Sequence, residues 1–202
     1  MPTPTIRQAE PRDLDDLYRV CLLTGDSGED ASLLYRDPLL LGHVYAAPYL
    51  VLEPRLAFVL EDGSGVSGYV LGALDSREFE ARLAREWYPP LRERYPLPDK
   101  PREEWSPDER MIGLIHREGG VSDDVYLPCP SHLHIDLLPR TQGGGNGRRL
   151  METLLGRLRE FGSPGVHLGV GSRNERAIGF YKHVGFQVLK EVPGALMMGM
   201  KL

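Results

Sequence analysis

The sequence predicts a mixed α/β (α+β) domain, with a central sheet of about seven mostly antiparallel strands flanked by helices. Three stretches carry that reading. Residues 56–74 form a hairpin, the apolar runs Leu56 to Glu61 and Val66 to Leu74 flanking the turn Asp62-Gly63-Ser64-Gly65. Ser131 to Gly162 gives a buried strand as far as Leu138 and a break at Pro139, then a loop with glycine at 143, 144, 145 and 147. A helix follows whose Leu150, Met151, Leu154, Leu155, Leu158 and Phe161 make one apolar stripe. Val166 to Gly185 gives a short strand and a helix, with Ser172 and Glu175 at capping-box spacing and Gly185 as the stop. Residues 186–189 and 195–200 supply two more strands.

The remaining elements follow in order. Thr3 to Gln8 reads as a strand, and Pro11 opens a helix with Leu14, Leu17, Tyr18 and Cys21 on one face and Gly25 as its end. Residues 25–54 are too apolar for a linker and too broken for one long helix. Residues 76–130 hold an amphipathic helix around Glu78 to Trp87, then prolines at 89, 90, 96, 98 and 101. A second helix there is opened by Ser106-Pro107-Asp108-Glu109 and closed by Gly119-Gly120. Long connections tend to be functional, so 76–130 reads as a helical, Pro-rich insertion within a single domain, 1–202.

Composition narrows the function. With 202 residues, 41% hydrophobic and 26% charged, the chain is an ordinary globular domain, and its net charge of −5 argues against a nucleic-acid partner. Cys21 and Cys129 have no CxxC spacing, there is no N-terminal apolar run for export, and no stretch approaches the ~20 apolar residues of a membrane span. A cytoplasmic protein, monomer or homodimer, is expected. His132 and His134 alternate on a strand without a third ligand, so no metal is expected.

The glycine loop is an anion cradle. Glycines let successive N–H groups turn inward, and the following helix adds partial positive charge. A Walker loop would need Gly-Lys-Ser/Thr where Gly147 is followed by Arg148 and Arg149; a dinucleotide fingerprint would need glycine or alanine at Leu150. Arg148 and Arg149, beside the cradle, are candidate phosphate contacts.

Gln142-x-x-Gly145-x-Gly147 after a strand ending in Leu-Pro resembles the pyrophosphate loop of the GNAT superfamily of acetyl-CoA-dependent N-acetyltransferases. NERAIGFYKHVGF, with Asn174, Ala177 and Tyr181 on one helix face, resembles that family's second signature. TIRQAEPRDLDDLYRV resembles its opening strand and helix. LYRDPLLLGHVYAAPYLVLEP, HLHIDLLP and SPGVHLGVGSRNERAIGFY are similar to bacterial stand-alone relatives of the acetyltransferase-like C-terminal domain of O-GlcNAcase.

The resemblance implies an N-acetyltransferase that moves an acetyl group from coenzyme A to an amine by direct transfer in a ternary complex. The alternative is a coenzyme-A-binding or non-catalytic interaction domain; the intact glycines favour a working site. Acetyl-CoA would lie along Leu137, Leu138, Gln142, Gly143, Gly144, Gly145, Asn146, Gly147 and Arg148, with Asn174, Ala177 and Tyr181 on its pantetheine arm and sulfur. Its pyrophosphate would sit on the N–H groups of 143–147. Tyr181 is the candidate acid, Asp136 the candidate base, and His134 with His132 relays or substitutes. An oxyanion would meet an N–H near Leu137 or Leu138. Asp26, Tyr35, His43, Tyr45 and Tyr49 are candidates for the acceptor pocket, with Trp87, Trp105 and Tyr126 as candidate walls. The acceptor would be a small-molecule or peptide amine, cationic on the chain's acidic balance. The sheet should splay between its fourth and fifth strands, because the cradle and the Asn174–Tyr181 helix each follow one of them.

Overall fold

In a computed structural model describing residues 3–117 and 120–202, seven strands hydrogen-bond into one sheet. They are β1 (Thr5–Gln8), β2 (Ala57–Asp62), β3 (Gly65–Ala73), β4 (Ser131–Leu137), β5 (Gly165–Gly171), β6 (Gln187–Val192) and β7 (Ala195–Lys201), in the order β1-β2-β3-β4-β5-β7-β6. Every pairing is antiparallel except β4 with β5. The hairpin, the closing strands and the single mixed sheet agree with the sequence reading.

The two faces of the sheet carry different layers. On one lie α1 (Leu14–Leu23), α2 (Leu40–Tyr45) and α3 (Ala47–Leu52), whose Leu17, Val20, Leu40 and Leu50 pack with Tyr69 and Leu71 of β3. On the other lie α8 (Asn146–Glu160) and α9 (Glu175–Val184), where the expected Leu150, Met151, Leu154, Leu155 and Leu158 meet Leu133, Val166 and Phe186. The insertion contributes α4 (Ser76–Arg82), α5 (Tyr88–Arg94), α6 (Pro107–Ile115) and α7 (Asp123–Tyr126).

Some boundaries depart from the sequence expectation. The proline pair does not end the first insertion helix: Pro89 and Pro90 occupy the first turn of α5, where a missing N–H costs no bond, and a π-turn at Leu83–Trp87 joins it to α4. The box Ser106/Glu109 caps α6 as expected, but α6 ends at Ile115; Gly119 lies outside the described residues and Gly120 is not helical. Helix α9 is capped by Asn174, whose side chain accepts from the Ala177 N–H, in place of the Ser172/Glu175 box. Gly185 closes it at φ 115°, as expected.

The feature that positions the site is a gap. Strands β4 and β5 pair only at Ser131↔Val166 and His132↔His167, then diverge. Gly165 keeps the closed end tight, since a Cβ there would lie 2.4 Å from the Pro128 carbonyl oxygen. On its other side β4 stays paired with β3 as far as Gly68↔Leu137, and the Leu138 N–H donates to Ser67 at 2.8 Å. Antiparallel bonding alternates, so the N–H groups of Ile135 and Leu137 point away from β3 and into the gap. Among the described residues no helix is long and apolar enough to cross a membrane.

Candidate active site

The glycine loop forms one end of the gap. Gly143, Gly144 and Gly145 all have positive φ (78°, 57° and 79°), a run that residues with a Cβ rarely sustain, and it delivers the chain into α8 with the helix N-terminus facing the cavity. A Cβ added at Gly143 or Gly145 would meet nothing within 4 Å, so the space beside the loop is open. Gln142 braces the loop: its Nε2 donates to the Leu137 carbonyl at 2.8 Å, and its Oε1 accepts from Arg176 at 2.5 Å. The cavity, about 590 Å³, is lined by Gly143, Gly145, Gly147, Arg148, Leu137, Asn174, Ala177 and Tyr181, and also by Asp136 and His134.

Two ionisable groups, Asp136 and Tyr181, line it together. Burial is the main reason the Asp136 carboxyl is pushed up to about 7; the hydrogen bond from Tyr69, at 2.6 Å, pulls the other way. The Tyr181 phenol is raised by burial first and then by the negative charge of Asp136, so it keeps its proton throughout the physiological range. No side chain among the described residues accepts or donates to that hydroxyl.

A second cavity, about 1060 Å³, opens on the other side of the gap, walled by Tyr45, Tyr49, Phe79 and Tyr88 and floored by His132, His134 and His167. The two cavities share Leu133, His134 and Gly169, where β4 and β5 part. His134 sits among the rings of Tyr45 and Tyr49, centroids 5.4 and 5.2 Å away, and burial pushes its imidazole down to about 4. His132 is fixed more firmly. The Ser76 hydroxyl donates to the Pro130 carbonyl at 2.6 Å, so the His132 Nδ1–H donates to Ser76 at 2.7 Å, and its Nε2 accepts from the Tyr49 hydroxyl at 2.7 Å. This is a neutral histidine with both ring nitrogens hydrogen-bonded inside the fold.

A glycine-formed anion cradle thus opens beside a parted sheet, and a carboxyl and a phenol line the same cavity. Residues 44–186 match the model of the acetyltransferase (GNAT) family. The chain belongs to that family. It is similar to the crystal structure of SsHAT, at 41% identity over 99% of this chain and 98% of that one, with a TM-score of 0.92. Protein O-GlcNAcase of Rattus norvegicus is 29% identical over 188 residues, 92% of this chain but 20% of that protein, so the chain spans about a fifth of the curated relatives it matches. The PaiA N-acetyltransferase of Thermoplasma acidophilum, solved in complex with coenzyme A, shares the fold at 14% identity over the whole of both chains, TM-score 0.60.

Within this GNAT frame the expected residues divide. Leu137, Gln142, Gly143, Gly145, Gly147, Arg148, Asn174, Ala177, Tyr181, Asp136 and His134 line the first cavity, and Tyr45 and Tyr49 the second. Gly144 lies in the loop between two lining glycines. Leu138 is corrected: its side chain is core and its N–H is spent on Ser67, leaving Leu137 as the donor into the gap. Asn146 is turned into the fold, its Nδ2 on the Thr141 carbonyl and its N–H on Gly143, so the cradle has one N–H fewer than expected. Asn174 faces the cavity but commits its amide to Ala177 and to the Ser27 carbonyl. Asp26 and Tyr35 line neither cavity: Asp26 is exposed in a bridge with Glu29, and Tyr35 packs on the core. His43 is core and bonds Tyr18. Trp87 donates to the His43 carbonyl of α2, Trp105 to the Lys100 carbonyl within the insertion, and Tyr126 to Asp75.

Thr24, Ser27, Gly28, Arg176 and Phe180 were missed. Arg176 had a signal, a cation two residues beyond Asn174 on a helix bordering a phosphate loop. Ser27 and Gly28 had none, because a loop that crosses the gap from another layer is visible only in three dimensions.

Proposed function

We propose that this chain is an N-acetyltransferase that draws its acetyl group from acetyl-CoA and passes it directly to an amine bound at the same time. The observation that carries the reading is the meeting of the two cavities at Leu133, His134 and Gly169, with Asp136 and Tyr181 on the cradle side. Gly143, Gly145 and Gly147 would hold the pyrophosphate, Arg148 and Arg176 supply positive charge beside it, and the parted edge of β4 would take the pantetheine arm. Acetyl-CoA supplies the acetyl group as an activated thioester.

The residues of the chain divide the remaining work. The amine reacts as the free base, with its lone pair open to the thioester carbonyl. Asp136, at about 7, accepts a proton better than His134, at about 4. As the new C–N bond forms and the C–S bond breaks, the amine proton goes to Asp136 and the thiolate takes the proton of Tyr181. These events assist each other: a protonated Asp136 no longer opposes loss of the Tyr181 proton. The Leu137 N–H is aimed where the carbonyl oxygen gains charge. Buried free thiols at Cys21 and Cys129 support residence in a reducing compartment, the cytoplasm.

Acetyl-CoA is expected to raise the thermal midpoint, and mixed amines to release free thiol. Stabilisation without thiol release would leave a binding domain. In Gly145→Val, a branched side chain enters the open space at a positive φ, and acetyl-CoA stabilisation should vanish while the fold remains. Wild-type stabilisation of that variant would sink the cradle assignment.

A further inference from the structure

The acceptor cavity carries a charge pattern that bears on the identity of the amine. One acidic and three basic side chains line it: Glu80, Arg92, Arg117 and Lys190. Lys190 is matched by Asp124 at 2.8 Å. Arg92 spends its Nε on the Ile115 carbonyl at 2.9 Å, and its terminal nitrogens have no carboxylate partner among the described residues. Arg117 makes no ion pair within 4 Å among the described residues. Burial holds the Glu80 carboxyl above the usual range, and Arg117 is the first charge that pulls it back. The balance is therefore positive, although the chain as a whole carries −5. Both arginines stand on the insertion, Arg92 on α5 and Arg117 just beyond α6, whereas the junction with the cradle side is at His134 on β4.

A cavity built for a polyamine or a lysine-rich segment would present carboxylates, because like charges at a binding surface repel the ligand. Here the walls are aromatic, the floor is neutral imidazole, and among the described lining residues guanidinium groups outnumber the one carboxylate, Glu80; guanidinium pairs with carboxylate and phosphate through two parallel N–H bonds. We infer that the acceptor is an amine bearing an anionic group, carboxylate or phosphate, which Arg92 and Arg117 hold while the amine reaches the junction at His134. This rests on the acetyl-transfer reading and reverses the cationic acceptor that overall charge suggested.

The test uses matched amines with the purified protein and acetyl-CoA, reading thiol release. The pairs are 4-aminobutanoate against 4-aminobutanamide and phosphoethanolamine against ethanolamine, with spermidine as the polycation. The anionic member of at least one pair should have the higher kcat/KM by roughly 10- to 100-fold, the size of one charge-assisted contact. The pair that shows it separates carboxylate from phosphate. Arg117→Glu and Arg92→Gln should shrink that ratio mainly through KM, with acetyl-CoA stabilisation as the folding control. Calorimetric binding of the same compounds, with and without coenzyme A, reads the same preference without turnover. Failure of thiol release alone therefore counts against acetyl transfer and not against the anionic acceptor. Preference for spermidine or the uncharged members, no preference in either readout, or a ratio untouched by both arginine variants would overturn the inference.

Discussion

Replacing Tyr181 with phenylalanine should leave acetyl-CoA affinity near wild type and lower single-turnover acetyl transfer by roughly 10²–10⁴-fold. The ring packs on Phe180 and Phe186, centroids 5.5 and 5.9 Å away, and phenylalanine keeps both contacts. Its hydroxyl has no protein partner among the described residues, so the fold loses no hydrogen bond with it. The thermal midpoint is therefore expected to stay put or rise slightly. A tyrosine that only packs would give full turnover per folded molecule, and that result would end its assignment as the acid. The raised phenol makes this the most demanding step, because a weaker acid must meet a thiolate whose ordinary value is about 8.5. The same apolar walls raise the thiolate as well, so donation in step with C–S cleavage stays feasible.

Asp136→Asn should cost turnover on a similar scale and should also change how stability follows pH. A carboxyl at about 7 in the fold and about 3.9 in the unfolded chain binds more protons when folded. Its contribution to stability is thus fully present below about pH 4 and is lost as pH rises towards 7. Asparagine carries no charge and can still accept from Tyr69. The variant should be more stable than wild type at pH 8, by at most about 4 kcal/mol, and no more stable at pH 4. Wild-type kcat/KM should climb through about pH 7 as Asp136 ionises. A flat profile from pH 5 to 8, together with full activity of the variant, would move the base elsewhere.

The parts of this molecule legible in the sequence were those whose physics is local. Alternation disclosed the hairpin, glycine spacing disclosed the cradle, and the strand–loop–helix order disclosed the gap. What escaped depended on contacts between distant segments. Pro89 and Pro90 look like terminators until α4 is seen bending into α5. Asn146 looks like part of the cradle until its amide is seen turned onto Thr141. Leu138 and Leu137 are equivalent in sequence, and only the register with β3 separates the bonded N–H from the free one. Net charge is the least local of these signals, since a sum over 202 residues says little about the few that face one cavity.

The parting of β4 from β5 also has a mechanical consequence. Two backbone rungs, at Ser131↔Val166 and His132↔His167, join the sheet of β1 to β4 to that of β5 to β7, and the helices must carry the rest of the load. Such a seam is where local opening should concentrate, and amide exchange at Ile135 and Leu137 should run fast beside the well-paired rows of β3 and β7. A ligand lying in the seam would serve the fold as an additional strand, and its departure would hand the two half-sheets back some freedom to move separately.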